Sequence, residues 1–200
     1  GIRARSPSRG LGDVYKRQLI KHPTTNEMTD DLRNKTSETA FAFRGYNITN
    51  LGRTRELLEH PAYGNTVERY LLQATRICSE VTGHPTDLLW RVRNNKEPSL
   101  ESYGEALALV MAAELAQVQL LEEFHGVTYQ KARLAFGYSL GELTAISCGS
   151  VFSMEEVLRI PVAMAADSVE LAHDATMGIL FSRGPAINEE DVDRLCRQIT

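Results

Sequence analysis

Helical patterns of apolar residues dominate the chain. Apolar positions spaced three and four apart predict helices over Val67–Ile77 and Leu88–Val92. Asn65, with Glu68 three residues later, predicts the start of the first. A longer helix is expected over Ala106–Phe124, which is apolar almost all round. Because a helix without a polar face belongs inside a fold, this segment should lie between a sheet and the rest of the core.

Three short apolar runs read as strands. They are Ala40–Phe43, Arg133–Gly137 and Thr176–Ser182. Strands that alternate with helices are typical of a parallel sheet, so the predicted fold class is α/β and rich in helix.

The last part of the chain carries helix start and stop signals. Ser153 and Glu156 form the pattern of a capping box, and Pro161 should kink or break the helix that they begin. Asn188 is expected to open a final helix over 189–199.

Composition bounds the classes of function. The chain has 200 residues, 42% of them hydrophobic, which fits one domain or one domain plus part of another. A net charge of −4 gives no basic footprint for nucleic acid. The longest uncharged apolar run near the middle, Ala106–Ala113, is 8 residues, too short for a membrane span. Three dispersed cysteines and the lack of HxxxH spacing predict no disulfide framework and no metal site, and they favour a cytoplasmic location.

The first 18 residues contain a string that predicts a technical instead of a biological origin. The string DVYKRQ at 13–18 back-translates to GAT GTG TAT AAG AGA CAG, which resembles the transposase end sequence used in sequencing libraries. Residues 1–18 are therefore predicted to be adaptor read-through, and an adaptor implies a partial gene. Without them the chain has 17 basic and 25 acidic residues, a net charge of −8. Residues 19–37 are polar and predict a loose leader.

The motif that carries chemistry is GYSLG at 137–141. A predicted strand precedes it and a predicted helix follows it, which is the context that a nucleophile elbow requires. Its glycines relieve clashes at a sharp turn, so that Ser139 projects above a helix N-terminus whose free N–H groups favour developing negative charge. An ordinary strand-to-helix turn with glycine and serine is the alternative interpretation.

The sequence GYSLGE at 137–142 resembles the GHSLGE motif of malonyl-CoA:acyl-carrier-protein transacylases and of the acyltransferase domains of fatty-acid and polyketide synthases. FAFRGY at 41–46 stands where that family has its first strand and a PGQG turn. The resemblance implies an α/β-hydrolase-like core joined to a small ferredoxin-like subdomain. Residues 38–173 would be part of the large subdomain, and 174–200 would begin the small one.

The resemblance also implies an activity. Ser139 would take an acyl group from acyl-CoA as an ester and pass it to the phosphopantetheine thiol of an acyl carrier protein. The oxyanion would be stabilised by the backbone N–H groups of Leu140 and Tyr46. The reaction needs no cofactor beyond the CoA thioester substrate.

The chain departs from the family at positions that matter for substrate. Tyr138 replaces the motif histidine and is a candidate for lining the acyl pocket. Met164 stands where the family's malonyl-binding arginine belongs, and Arg159 lies about 140° away around a helix. We therefore expect a neutral acyl group or no transfer. The family's catalytic histidine would fall beyond residue 200, so these 200 residues alone are expected to be nearly inactive.

Two other functions fit the same residues. One is a degenerate acyltransferase that binds an acyl group or a carrier protein without catalysis, and the changes at Tyr138 and Met164 favour it. The other is a serine hydrolase or thioesterase of the α/β-hydrolase type. That fold usually places more strands before the elbow, so the long helical stretch over 54–126 counts against it.

Overall fold

A computed structural model describes residues 25–174 and 184–199. Helices make up most of this part of the chain, and two strands form its sheet. In chain order the elements are α1 (Thr25–Asn34), β1 (Ala40–Phe43), α2 (Thr54–Glu59), α3 (Gly64–Thr82), α4 (Leu88–Arg93), α5 (Tyr103–His125), β2 (Leu134–Gly137), α6 (Leu140–Cys148), α7 (Met154–Ala163), α8 (Ala165–Asp174) and α9 (Glu189–Ile199).

The core forms around α5. This helix packs against α3, α6 and α7, and its middle turns are buried on nearly every side. Helix α3 contributes a stripe of buried residues at helical spacing: Val67, Leu71, Ala74, Ile77 and Cys78. The prediction that the 106–124 segment is a core helix is therefore confirmed. Its main contacts are with other helices, so the expected position against the sheet stays a prediction.

The stretch Leu100–His125 is also the one candidate membrane span found among the described residues. Its mean hydropathy is 1.3, and 61% of the tested window is buried. A helix that serves as the core of a fold meets the same length and composition criteria.

The two strands lie side by side and run parallel, with Ala40 opposite Leu134 and Phe43 opposite Gly137. Four helices, α2 to α5, connect them, as a parallel pair requires a crossover. The expected α/β class is thus confirmed at the level of a helix-rich chain with a small parallel sheet. The third predicted strand, 176–182, lies outside the described residues.

The two faces of the sheet differ. On the inner face the rings of Phe41 and Phe43 lie 5.1 and 6.0 Å from that of Tyr129, whose hydroxyl donates to the Ala145 carbonyl at 3.0 Å. On the outer face Leu134 is 57% exposed and Phe136 is 52% exposed. Tyr129 therefore links the inner face of the sheet to α6.

An ion-pair network joins α3 to α7 at the surface. Arg76 pairs with Glu80 at 2.8 Å and with Glu155 at 2.6 Å. Arg159 pairs with the same two carboxylates at 2.5 and 2.9 Å. Two cations thus share two anions, and the guanidinium of Arg159 is committed to this network.

Three local expectations need correction. Residues 25–34, expected to be loose, form α1, and the Arg33 side chain ties it to the core by donating to the His125 carbonyl at 3.0 Å. Helix α3 begins at Gly64, and its N-cap position is Tyr63 instead of Asn65. Helix α7 continues through Pro161 to Ala163, so the break comes slightly later than expected.

Two neighbouring leucines on α3 test this description of the core. Leu71 is fully buried and Leu72 is 50% exposed. Leu71→Ala should lower the free energy of unfolding by about 2–5 kcal/mol, because it leaves a cavity against α5. Leu72→Ala, the matched control, should change it by less than about 1 kcal/mol. Urea denaturation measures both, and equal losses would contradict the assigned packing.

Candidate active site

Ser139 occupies a strained turn between β2 and α6. Its backbone angles are φ 55° and ψ −118°, and its side chain is exposed. Residues other than glycine rarely adopt such angles, which cost about 1–3 kcal/mol and concentrate at functional sites. A strained serine between a strand and a helix is the backbone arrangement that a nucleophile elbow requires.

Close backbone contacts explain the glycines of the motif. A Cβ added to Gly137 would overlap the backbone of Gly141 and Glu142. A Cβ added to Gly141 would overlap the Phe43 carbonyl and would lie 2.8 Å from the Arg44 oxygen. Both motif glycines are therefore required by packing, and they bring the end of β1 against the start of α6.

The turn that follows β1 lies beside the elbow. The Tyr138 N–H extends the sheet by donating to the Phe43 carbonyl at 3.1 Å. A Cβ on Gly45 would lie 2.8 Å from the Tyr138 oxygen and 3.3 Å from the Ser139 Cβ. The structure therefore places the segment that carries Tyr46 next to Ser139.

The two predicted oxyanion donors are unused within the described part of the chain. Leu140 is the first residue of α6, where N–H groups have no partner inside the helix. Neither its N–H nor that of Tyr46 donates to another described residue. The Tyr46 ring packs edge-on against Tyr103, with 4.8 Å between ring centroids.

Glu114 is a site residue that the sequence analysis missed. Its Oε1 accepts from the Arg44 N–H at 2.7 Å, and its Oε2 accepts from the Thr144 hydroxyl at 2.7 Å. Burial raises the pKa of the Glu114 carboxyl, while these hydrogen bonds and the charge of Arg44 act in the opposite direction. The available signal was a carboxylate inside an otherwise apolar helical run.

The other predicted residues lie farther along the fold. Tyr138 is 55% exposed, directly before the serine. Met164 is 54% exposed and directly follows α7 as its C-cap, where its N–H donates to the Ile160 carbonyl at 3.1 Å. No described hydrogen bond joins the Met164 backbone to the elbow. Its proposed role beside the acyl group stays a prediction.

Two further side chains, Cys148 and His173, are of types that can act as a nucleophile or a base. Burial raises the pKa of the Cys148 thiol to about 12, so it is protonated at neutral pH and is a poor nucleophile. His173 lines a cavity of about 710 Å³ together with His84 and Tyr103, and Ser139 is not among the residues that line it. Within the described residues, no side chain accepts a hydrogen bond from the Ser139 hydroxyl.

The described part of the chain contains no group of three or more histidine, cysteine, aspartate or glutamate side chains placed to hold a metal ion. What the described site offers is an exposed serine hydroxyl, two backbone donors and a half-buried carboxylate behind them. Such a group can support nucleophilic attack on a carbonyl and stabilise the resulting oxyanion.

Comparison with known proteins adds no family: no protein-family model, no curated protein and no solved structure matches this chain. The function must therefore be inferred from the geometry and from the motif.

Substitution of the motif glycines tests the close contacts at the elbow. Gly137→Ala and Gly141→Ala should each lower the free energy of unfolding by more than about 3 kcal/mol, or prevent folding, because backbone atoms must move. Gly149→Ala is the matched control at the other end of α6. Its Cβ would meet nothing closer than 3.4 Å, so a loss below about 1 kcal/mol is expected. Chemical denaturation of the three variants measures these losses. Small losses in Gly137→Ala and Gly141→Ala would contradict the close backbone contacts assigned to the elbow.

The half-buried Glu114 carboxyl predicts a pH dependence of stability. A carboxyl whose pKa is raised by folding binds more protons in the folded state than in the unfolded state. Its contribution to the free energy of unfolding therefore falls as pH rises from the ordinary carboxyl pKa through the raised one. Glu114→Gln removes this contribution.

Urea denaturation of the wild type and Glu114→Gln at about pH 4.5 and about pH 8 measures it. The stability of the wild type relative to the variant should be lower at the higher pH. A difference that stays the same at both pH values would contradict the raised pKa.

Proposed function

We propose that this chain is an acyltransferase domain that moves an acyl group from CoA to the thiol of an acyl carrier protein, in the cytoplasm, through an ester on Ser139. The observation that supports it best is the strained, exposed serine at the junction of β2 and α6, flanked on both sides by N–H groups that donate to no other described residue. The GYSLGE sequence around it supports the same family.

The reaction proceeds in two halves. The Ser139 Oγ attacks the thioester carbonyl, the C–S bond breaks, and CoA leaves as a thiol with the proton that the serine gives up. The carrier thiol then attacks the ester carbonyl, the C–O bond breaks, and Ser139 recovers its proton. In both halves the N–H groups of Leu140 and Tyr46 stabilise the oxyanion.

We infer that the sheet belongs to an α/β-hydrolase-like core. The parallel pair with its helical crossover supports this, and so does the helix that starts directly after the strained serine. The proposal extends to a ferredoxin-like subdomain that begins near residue 174.

The proposed acyl group is neutral. A malonyl carboxylate bound away from water needs a cation, and an arginine with its planar fork of donors serves best. Arg159 is committed to Glu80 and Glu155. The residue at the family's arginine position, Met164, offers no charge.

A degenerate binding domain is the second candidate. The observation that favours it is that the Ser139 hydroxyl has no basic partner among the described residues. Such a domain would bind acyl-CoA or a carrier protein and would leave Ser139 unmodified.

Intact mass spectrometry tests the proposal. The chain is incubated separately with acetyl-CoA, a longer acyl-CoA and malonyl-CoA between about pH 7 and about pH 9, where hydroxide increasingly replaces a general base. We expect a slowly forming acetyl or acyl adduct whose rate rises with pH, and a malonyl adduct at least about tenfold slower. Ser139→Ala should abolish the adduct, and Ser147→Ala, a control serine on the helix that follows Ser139, should not.

The other outcomes separate the alternatives. A malonyl adduct at a comparable rate would contradict the proposed neutral substrate. Acyl-CoA binding without any adduct would favour the degenerate domain. Labelling of Ser139 by a fluorophosphonate, together with release of free acid from esters, would favour a hydrolase.

A further inference from the structure

A single carboxylate on α5 holds both segments that carry the proposed oxyanion donors. Glu114 lies within the otherwise apolar run from Ala106 to Ala116, and the turns around it are buried. A carboxylate in such surroundings is costly unless its oxygens are hydrogen-bonded. Here each oxygen has one donor, and the two donors come from different segments.

The first donor belongs to the turn after β1. The Arg44 N–H, bonded to Glu114 at 2.7 Å, is two residues before the Tyr46 N–H. Across this short connection, a shift of Arg44 must move Tyr46. Gly45 between them is buried against the Tyr138 carbonyl, which leaves little room for another arrangement.

The second donor belongs to the helix after the elbow. The Thr144 hydroxyl, also 2.7 Å from Glu114, lies four residues after Leu140 and so about one turn along α6. Thr144 is fully buried. Its bond to Glu114 fixes the first turn of α6 relative to α5, and with it the direction of the Leu140 N–H.

The rest of the turn is fastened at its far end. The Asn50 side chain accepts from the Asn47 N–H at 3.0 Å and from the Arg44 guanidinium at 2.8 Å. Glu97 accepts from the backbone N–H groups of Asn50 and Leu51 at 2.8 and 3.1 Å. The turn is thus closed on itself and anchored by Glu97 at one end and by Glu114 at the end beside Ser139.

We propose that Glu114 is a positioning residue that holds the Tyr46 and Leu140 N–H groups in place around the carbonyl attacked by Ser139. The catalytic part of this inference, the effect of Glu114 on oxyanion stabilisation, rests on the proposed acyl transfer. Its structural part, the anchoring of the turn at Arg44, stands independently of the reaction.

Three variants separate this role from general stability. Glu114→Ala removes both acceptors. Glu114→Gln keeps both bonds in one orientation, since its amide oxygen accepts from the Arg44 N–H while its NH₂ group donates to the Thr144 oxygen. Glu105→Ala is the matched control, because Glu105 is also a half-buried carboxylate on α5 but pairs with Arg91.

Hydrogen exchange measured by mass spectrometry tests the structural part without any reaction. Glu114→Ala should raise the exchange rate of the peptide that contains Arg44 to Tyr46 by about tenfold or more, because its anchoring bond is lost. Glu114→Gln should restore protection, and Glu105→Ala should leave this peptide unchanged. Unchanged exchange in Glu114→Ala would overturn the proposal.

The rate of Ser139 modification by acetyl-CoA and by a fluorophosphonate tests the catalytic part. In Glu114→Ala the maximal rate should fall by about tenfold to a hundredfold, because displaced donors stabilise the oxyanion poorly, while the concentration for half-maximal rate changes little. Glu114→Gln should stay within about threefold of the wild type, and so should Glu105→Ala.

A wild-type rate in Glu114→Ala would overturn the proposal and leave the proposed function intact. If the wild type forms no adduct with either reagent, the proposed function fails, and exchange at Arg44–Tyr46 still decides whether Glu114 anchors the turn.

Discussion

The backbone contact between β2, α6 and the end of β1 is the constraint on which the candidate site depends. Gly137 and Gly141 lie so close to neighbouring backbone that a methyl group on either would overlap it. This proximity forces the chain to reverse direction within one residue, and Ser139 takes the positive φ that the reversal needs. The strain of about 1–3 kcal/mol persists because packing on both sides leaves the turn no alternative. The same reversal leaves the serine side chain exposed above the start of a helix.

Helix α5 supports that contact from behind, and its composition reflects the position. It is surrounded by α3, α6 and α7, so its residues are apolar on nearly every side. Within the apolar run from Ala106 to Ala116, Glu114 is the one charged residue, and donors from Arg44 and Thr144 compensate for its partial burial. The core helix therefore connects the two sides of the candidate site through hydrogen bonds as well as through apolar packing.

Elements whose signals lie within a few neighbouring residues could be predicted from the sequence. The run at 40–43, the strand before Gly137, the capping box at Ser153 and the helix over 189–199 all appear within a residue or so of their expected bounds. The placement of Ser139 in a strand–turn–helix junction also followed from local pattern, because glycine spacing, strand and helix lie within fifteen residues.

Features that depend on distant partners could not be predicted in this way. The bond between Glu114 and Arg44 joins residues 70 positions apart, and the network of Arg76, Glu80, Glu155 and Arg159 spans a similar separation. The polar sequence of α1 gave no sign that the Arg33 side chain would reach the end of α5. A carboxylate in an apolar helix signals that a partner exists, but only the fold identifies it.

The arrangement of the arginines bears on the charge of the proposed acyl group. Two arginines are candidates for binding a malonyl carboxylate because of their positions: Arg44 lies in the turn after β1, and Arg159 lies on α7. Arg44 donates to the Thr49 carbonyl and the Asn50 side chain, and so holds the turn closed. Arg159 is shared between two carboxylates. To bind a malonyl carboxylate, either side chain would have to leave these partners, and an unpaired buried carboxylate would cost several kcal/mol. A neutral acyl group requires neither change, and this is the physical reason to expect one at Ser139.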